Sequence, residues 1–140
     1  MDDPFRLQRF VDAQASTYTT ALSELRAGAK KSHWIWFIFP QVGGLGFSAM
    51  SKRYAIEGLE EAKAYLIHPV LGPRLYECAE AVLSVQGRSA LQIMGSPDDM
   101  KLHSSMTLFA QVSADGSVFH QVLDKYFGGV PDGATLRLID

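Results

Sequence analysis

The feature that most constrains the fold is a regular recurrence of apolar residues every three or four positions. The clearest stripe ends before Gly87, and its apolar positions are Leu71, Leu75, Cys78, Ala79, Val82 and Leu83. A second stripe follows Asp115-Gly116 and consists of Val118, Phe119, Val122, Leu123, Tyr126 and Phe127. Such stripes cover one face of an α-helix and need another apolar surface to bury them. Helical periodicity therefore indicates a packed, helical protein.

Proline, glycine and acidic residues indicate where these helices begin and end. Ser96-Pro97-Asp98-Asp99 combines a capping side chain, a proline suited to the first helical position and two carboxylates. It predicts a helix that runs to about Val112. His68-Pro69 ends a helix that begins near Glu57, because the residue before a proline disfavours helical conformation. Asp3-Pro4 begins a first helical region, in which weak helix formers between residues 16 and 20 predict a break.

A single all-α domain is the fold class that this pattern predicts. Only Ile35 to Phe39 has the composition of a β-strand, and one strand forms no sheet. The sequence of 140 residues suits one hydrophobic core and contains no repeat or linker. We therefore expect residues 1–140 to form one compact domain of about six or seven mostly short helices in an irregular, non-bundle array.

Composition excludes several classes of protein. Hydrophobic residues make up 47% of the chain and charged residues 20%, which is typical of a packed globule. The net charge of −2 provides no basic surface, so we expect no nucleic-acid binding. A signal-peptide pattern and an apolar run of roughly 20 residues are both missing, so we expect a cytoplasmic protein without a membrane segment. The single cysteine, Cys78, lies on an apolar stripe and is expected to be a buried, inert thiol.

Histidine spacing argues against a metal centre. The four histidines are His33, His68, His103 and His120, and no two are spaced as ligands on one helix face. Because no cysteine–histidine cluster accompanies them, we predict no metal and no cofactor. His33 adjoins the tryptophans of "SHWIWFIFPQ" and is a candidate for lining a cleft, while a satisfied structural histidine is the interpretation that we favour for it.

A glycine-rich loop follows the aromatic stretch. Residues 44–49, "GLGFSA", match the first turn of a dinucleotide-binding fold, but that fold needs a second parallel strand where helices follow here. The loop is still compatible with a simpler anion-binding site, because a glycine loop that leads into a helix presents backbone N–H groups. Its candidate residues are Gly44, Gly46, Ser48 and Lys52. The alternative is a flexible turn followed by a solvated basic face.

The helix after Ser96 contains a second group of polar residues. Lys101, Ser104 and Ser105 share one side of this helix, next to the apolar face. A lysine one turn from two serines has the chemistry to activate a hydroxyl group or to hold a phosphate. The alternative is that small serine side chains allow a close helix–helix contact.

Several stretches together resemble one known family. They are "RFVDAQ", "SHWIWFIFPQ", "GLGFS", "YAI", "LEEAKAYLIHPVLGPRLYEC", "SPDDMKLHSSMTLFA" and "VLDKYFGG". In content and order they are similar to a bacterial domain-of-unknown-function family often labelled "calpastatin", over about Phe5 to Gly129. The resemblance implies a compact, mainly helical fold and supplies no catalytic residues. The label itself does not suit the sequence, because a disordered protease-inhibitor repeat is far less apolar.

These observations favour a binding function, with two alternatives. The first hypothesis is a small polar or anionic ligand, such as a nucleotide or an ADP-ribose-like molecule, in an aromatic-walled cleft. That cleft would form where Trp34 to Gln41 meets the helix of Lys101. The second is a protein-interaction module that docks an unidentified partner on an exposed aromatic patch. The third is a hydrolase or transferase in which Lys101 with Ser105, or His33, takes part in the chemistry.

Overall fold

Ten α-helices make up the regular structure of residues 3–139, the part of the chain that the computed structural model describes. They are α1 Gln8–Gln14, α2 Tyr18–Arg26, α3 Ile35–Ile38, α4 Ala49–Arg53, α5 Leu59–Ile67, α6 Leu71–Ser84, α7 Ala90–Met94, α8 Asp98–Ala110, α9 Val118–Phe127 and α10 Gly133–Ile139. Within the described residues there is no strand, only an isolated parallel bridge between Val42 and Ile56. The all-α prediction is confirmed, although the helices outnumber the six or seven expected.

The extra helices arise where the sequence pattern is short or interrupted. The first helical region divides into α1 and α2 at residues 15–17, close to the predicted break. It also begins later than Asp3-Pro4 suggested, because Arg6 has a left-handed φ of 53°. The Asp3 carboxylate nevertheless accepts hydrogen bonds from the backbone N–H groups of Leu7 at 2.7 Å and Gln8 at 3.0 Å, and so caps the start of α1.

The aromatic stretch forms a helical turn and not a strand. α3 begins after Trp34 and contains only Ile35–Ile38, so it is one turn long. The predicted cap of α8 also differs in detail. Pro97 precedes the first helical residue, Ser96 makes no capping hydrogen bond, and the carboxylates of Asp98 and Asp99 occupy the first turn. There they interact favourably with the positive end of the helix dipole.

α8 lies at the centre of the fold. It packs against α3, α5, α7, α9 and α10, and every residue from 104 to 110 is buried. A helix buried on most of its surface is expected to be apolar or small all round, which explains its serines and threonine as well as its large residues. α6 forms the second layer, packed on α2, α5 and α9. None of the described helices is long and apolar enough to cross a membrane.

Two features of α6 follow from this packing. Cys78 is buried, as its place on the apolar stripe predicted, and burial raises the pKa of its thiol to about 12. Gly72 allows α6 to start directly against the end of α5. A Cβ atom at this position would lie 2.1 Å from the backbone oxygen of Leu66, which is far inside van der Waals contact.

Candidate functional site

A cleft of about 300 Å³ opens between α3 with its following loop, the first half of α8, and the start of α10. Its lining residues are Trp36, Gln41, Leu45, Gly46, Pro97, Met100, Lys101, Ser104, Asp132 and Ala134. The volume is at the lower end of the roughly 300–1,000 Å³ that ligand sites occupy. The cleft lies where the aromatic stretch meets the helix of Lys101, and it brings together four of the candidate residues, Gln41, Gly46, Lys101 and Ser104.

The aromatic wall is Trp36, and Trp34 belongs to the core. Trp36 is half-buried, and the Lys101 ammonium lies 4.2 Å from its ring centroid in a cation–π contact. Trp34 is fully buried and donates from its indole Nε1 to the Glu24 carboxylate at 2.9 Å. Successive residues of a helical turn point about 100° apart, so two tryptophans separated by one residue face different directions.

The position of α3 depends on one carboxylate of α2. Glu24 accepts hydrogen bonds from the backbone N–H of Lys31, the N–H and hydroxyl of Ser32 and the Trp34 indole, at 2.6–3.0 Å. Burial raises the pKa of this carboxyl group, but the hydrogen bonds outweigh burial and lower it to about 2. The ionised Glu24 therefore holds the turn that leads into α3 and, through it, the Trp36 wall.

A cluster of three charges, which we call the Lys30–Asp98–Lys101 cluster, reaches the cleft through Lys101. The Asp98 carboxylate contacts the Lys30 ammonium at 2.7 Å and the Lys101 ammonium at 3.1 Å. Burial raises the Asp98 pKa, but the hydrogen bonds from the two lysines prevail, and the net shift is downward. Two ammonium groups share one carboxylate, so the cluster keeps a net charge of +1 beside the cleft.

Asp132 provides a negative charge in the lining of the cleft. Its Oδ2 atom accepts from the Ser104 hydroxyl at 3.1 Å and from the hydroxyl and N–H of Thr135 at 2.6 and 3.1 Å. Burial raises the pKa of Asp132, but the hydrogen bonds from Thr135 and Ser104 outweigh it and lower the pKa. The carboxylate is therefore ionised at neutral pH, and no described residue donates to its Oδ1 atom.

Gln41 contributes a buried donor without a partner. The residue is only 7% exposed, and within residues 3–139 its amide Nε2 has no hydrogen-bond partner. The backbone of Gln41 is held in place, because its oxygen accepts from the Ile56 N–H at 2.9 Å. Buried amide groups are normally satisfied, so an unpartnered donor on a residue that lines the cleft is a group that a bound acceptor would complete.

The glycine loop borders the cleft through Gly46. A Cβ atom at Gly46 would lie 2.9 Å from the Ser51 Cβ, so only glycine permits this approach to α4. Gly44, also a candidate, lies in a small recess beside the cleft, together with Gly46 and Ser51. The loop thus contributes backbone to the cleft at one glycine and to the adjoining recess at the other.

The remaining candidates lie elsewhere. His33 and Lys52 are exposed and line neither the cleft nor its recess. Ser48 caps α4 by accepting from the Ser51 N–H at 3.1 Å and does not line the cleft. Ser105 is fully buried beside the core, while Ser104, one residue earlier, reaches the cleft. The helix face expected to carry both serines is therefore divided between the cleft and the core.

Sequence reasoning missed Asp132 and Lys30. Asp132 precedes α10 and bonds to Thr135 three residues later, so an Asp-x-x-Thr cap at residues 132–135 was the available signal. Nothing in the sequence connects Lys30 with Asp98, which lies 68 positions away. Among the described residues, no group of three or more histidine, cysteine, aspartate or glutamate side chains is arranged to hold a metal ion.

Comparisons with known proteins identify relatives without an assigned activity. Residues 4–139 match a family described as "Protein of unknown function (DUF1810)". The crystal structure of the conserved hypothetical protein Rv1873 from Mycobacterium tuberculosis is similar, with 55% sequence identity and a TM-score of 0.96 over 98% of each chain. No curated protein matches the chain. The label "calpastatin" occurs in neither description.

Proposed function

The chain belongs to the DUF1810 family of unknown function, and from its cleft we propose that it binds a small polar or anionic ligand, such as a nucleotide or an ADP-ribose-like molecule. The observation that carries the proposal is the unpartnered amide of Gln41 in the lining of an aromatic-walled cleft. A buried donor left without an acceptor costs roughly 1–3 kcal/mol. A ligand oxygen at this position would remove that cost, which supports a polar ligand over an apolar one.

The charges around the cleft support an anionic group on the ligand. Lys101 shares Asp98 with Lys30, so an incoming phosphate would meet an ammonium group that is only partly neutralised. Asp98 fixes the ammonium of Lys101 before the ligand arrives, which reduces the entropy lost on binding. Trp36 adds a flat apolar surface beside this ammonium, as sites for ring-containing ligands commonly do.

Binding would be tested by thermal shift and calorimetry with a panel of nucleotides and NAD derivatives. We expect at least one compound to stabilise the chain at millimolar concentration and K101M to weaken its binding about tenfold or more, since a charge-assisted contact is lost. K52M is the matched control, because Lys52 is exposed outside the cleft. Absence of stabilisation by every compound, or equal losses in K101M and K52M, would contradict the proposal.

A protein-interaction function is the second candidate, and one observation favours it. Phe47, on the loop that borders the cleft, is 89% exposed, which is unusual for a large aromatic side chain. Size-exclusion chromatography of the wild type and of F47S would test it. If both proteins are monomers, and if a pull-down from lysate recovers the same proteins with each, the result would count against docking through Phe47.

The hydrolase or transferase hypothesis, which paired Lys101 with Ser105, is not supported by the positions of these residues. Ser105 is fully buried and does not line the cleft, so Lys101 and Ser105 do not meet in it. His33 is exposed and also lies outside the lining. A hydrolase or transferase reaction through these residues therefore has no support in the geometry of the cleft.

A further inference from the structure

The polar groups that line the cleft include both hydrogen-bond acceptors and hydrogen-bond donors, and this combination narrows the class of ligand. We infer that Asp132 selects a ligand with two neighbouring hydroxyl groups next to an anionic group, the chemistry of a ribose 5-phosphate unit. The inference rests on the proposed function, since it specifies the ligand of the same cleft. It concerns a residue that the sequence did not single out.

Asp132 presents a fixed acceptor. Three hydrogen bonds converge on Oδ2, two from Thr135 and one from Ser104, so the carboxylate is held in one orientation. Its Oδ1 atom receives no hydrogen bond from the described residues, and the carboxylate lines the cleft. An ionised carboxylate only accepts hydrogen bonds, so the complementary ligand group must donate one.

Ser104 provides a second acceptor beside it. The Ser104 hydroxyl has its single hydrogen directed toward Asp132 at 3.1 Å or toward the Met100 carbonyl at 3.2 Å. In both arrangements its oxygen keeps lone pairs available for a donor. Because Ser104 is hydrogen-bonded to Asp132, the two acceptors are adjacent, as are the two hydroxyl groups of a ribose.

The other polar groups of the cleft are donors. The Lys101 ammonium and the Gln41 amide both require acceptor oxygens, which a phosphate supplies. A ligand with hydroxyl groups alone would offer the lysine only a neutral acceptor, which is weaker than a phosphate oxygen, and a purely anionic ligand would be repelled by Asp132. A ribose phosphate carries a hydroxyl pair and a phosphate on one small molecule, and so has a group for the acceptors Asp132 and Ser104 and a group for the donors Lys101 and Gln41.

Calorimetry with three probes tests the inference: AMP, 2′-deoxy-AMP and ribose 5-phosphate. We expect AMP to bind at least about tenfold more tightly than 2′-deoxy-AMP, a factor that corresponds to about 1.4 kcal/mol. D132N should reduce this preference to less than threefold. Asparagine caps a helix as well as aspartate does, so the start of α10 is preserved. D115N is the matched control, because it removes an exposed carboxylate outside the cleft.

The outcomes separate this inference from the proposed function. Equal binding of AMP and 2′-deoxy-AMP to the wild type would overturn the role of Asp132 and leave a nucleotide site intact, and this comparison needs no variant to fold. A preference that D132N and D115N reduce equally would also overturn it. No binding of any of the three probes would overturn this inference, and it would overturn the proposed function as well only if the panel of nucleotides and NAD derivatives also failed to stabilise the chain. If ribose 5-phosphate binds as tightly as AMP, the inference is supported and the ligand is a sugar phosphate. If AMP binds more tightly, the inference is supported and the ligand is a nucleotide.

Discussion

Replacing Glu24 with alanine removes the acceptor that holds the turn before α3. Four donors lose their partner, and the indole Nε1 of Trp34 loses it in a residue with no exposed surface. An orphaned buried donor costs about 1–3 kcal/mol. The donors on Lys31 and Ser32 lie nearer to water and add about 1 kcal/mol together. We therefore expect E24A to lower the free energy of unfolding by about 2–4 kcal/mol.

The same carboxylate makes part of the stability depend on pH. The pKa of Glu24 is lowered from its ordinary 4.5 to about 2, so its contribution is fully present above pH 4.5 and is lost as the pH falls toward 2. Solvent screens a partly exposed carboxylate, and the charge-dependent part is therefore about 1–2 kcal/mol. E24Q keeps the side-chain volume and one oxygen acceptor. It should therefore lose mainly the charge-dependent part of the stability.

Urea denaturation at pH 7 and pH 3 measures both effects. At pH 7 we expect E24A to be less stable than E24Q. At pH 3 the difference in free energy of unfolding between wild type and E24Q should be smaller than at pH 7. The control is E80A, which removes an exposed glutamate of α6. A loss below 0.5 kcal/mol in E24A, or a difference between wild type and E24Q that does not change with pH, would refute the role given to Glu24.

Three further predictions concern packing, the thiol and the charged cluster. G72A should lower the free energy of unfolding, measured in urea, by about 3 kcal/mol or more, because its Cβ would collide with a backbone oxygen of α5. G87A is the control, since Gly87 has open space around it, and it should lower the free energy of unfolding by about 1–2 kcal/mol. Cys78 should react with a thiol reagent at pH 8 only after unfolding, and rapid labelling of the native chain would contradict its burial. K30M, which removes the charge of a lysine whose side chain is only 6% exposed, should destabilise the chain by about 1–3 kcal/mol. An unchanged urea midpoint would show that Asp98 needs no second lysine.

Local sequence patterns predicted most of the helices, because the residues that determine a helix lie within one or two turns of each other in the sequence. The stripe from Leu71 to Leu83 became α6, and His68-Pro69 ends α5 as the conformational preference before proline requires. The segment Ile35–Phe39 was ambiguous, since a short apolar run has the composition of a strand as well as of a buried helical turn. Its surroundings decided the outcome, because α3 packs against two helices and has no second strand to pair with.

The sequence by itself determined that this chain folds as an all-α domain and that Cys78 is buried, and it predicted a cleft between the segments that carry Gln41 and Lys101. The tertiary structure decided which side chains meet. It placed Trp36 in the cleft and Trp34 in the core, and it brought Asp132 to Ser104 from 28 positions away. Periodicity and capping depend on neighbours within one or two turns, whereas a cleft depends on how separate helices pack, and side-chain volumes summed over the whole core determine that packing.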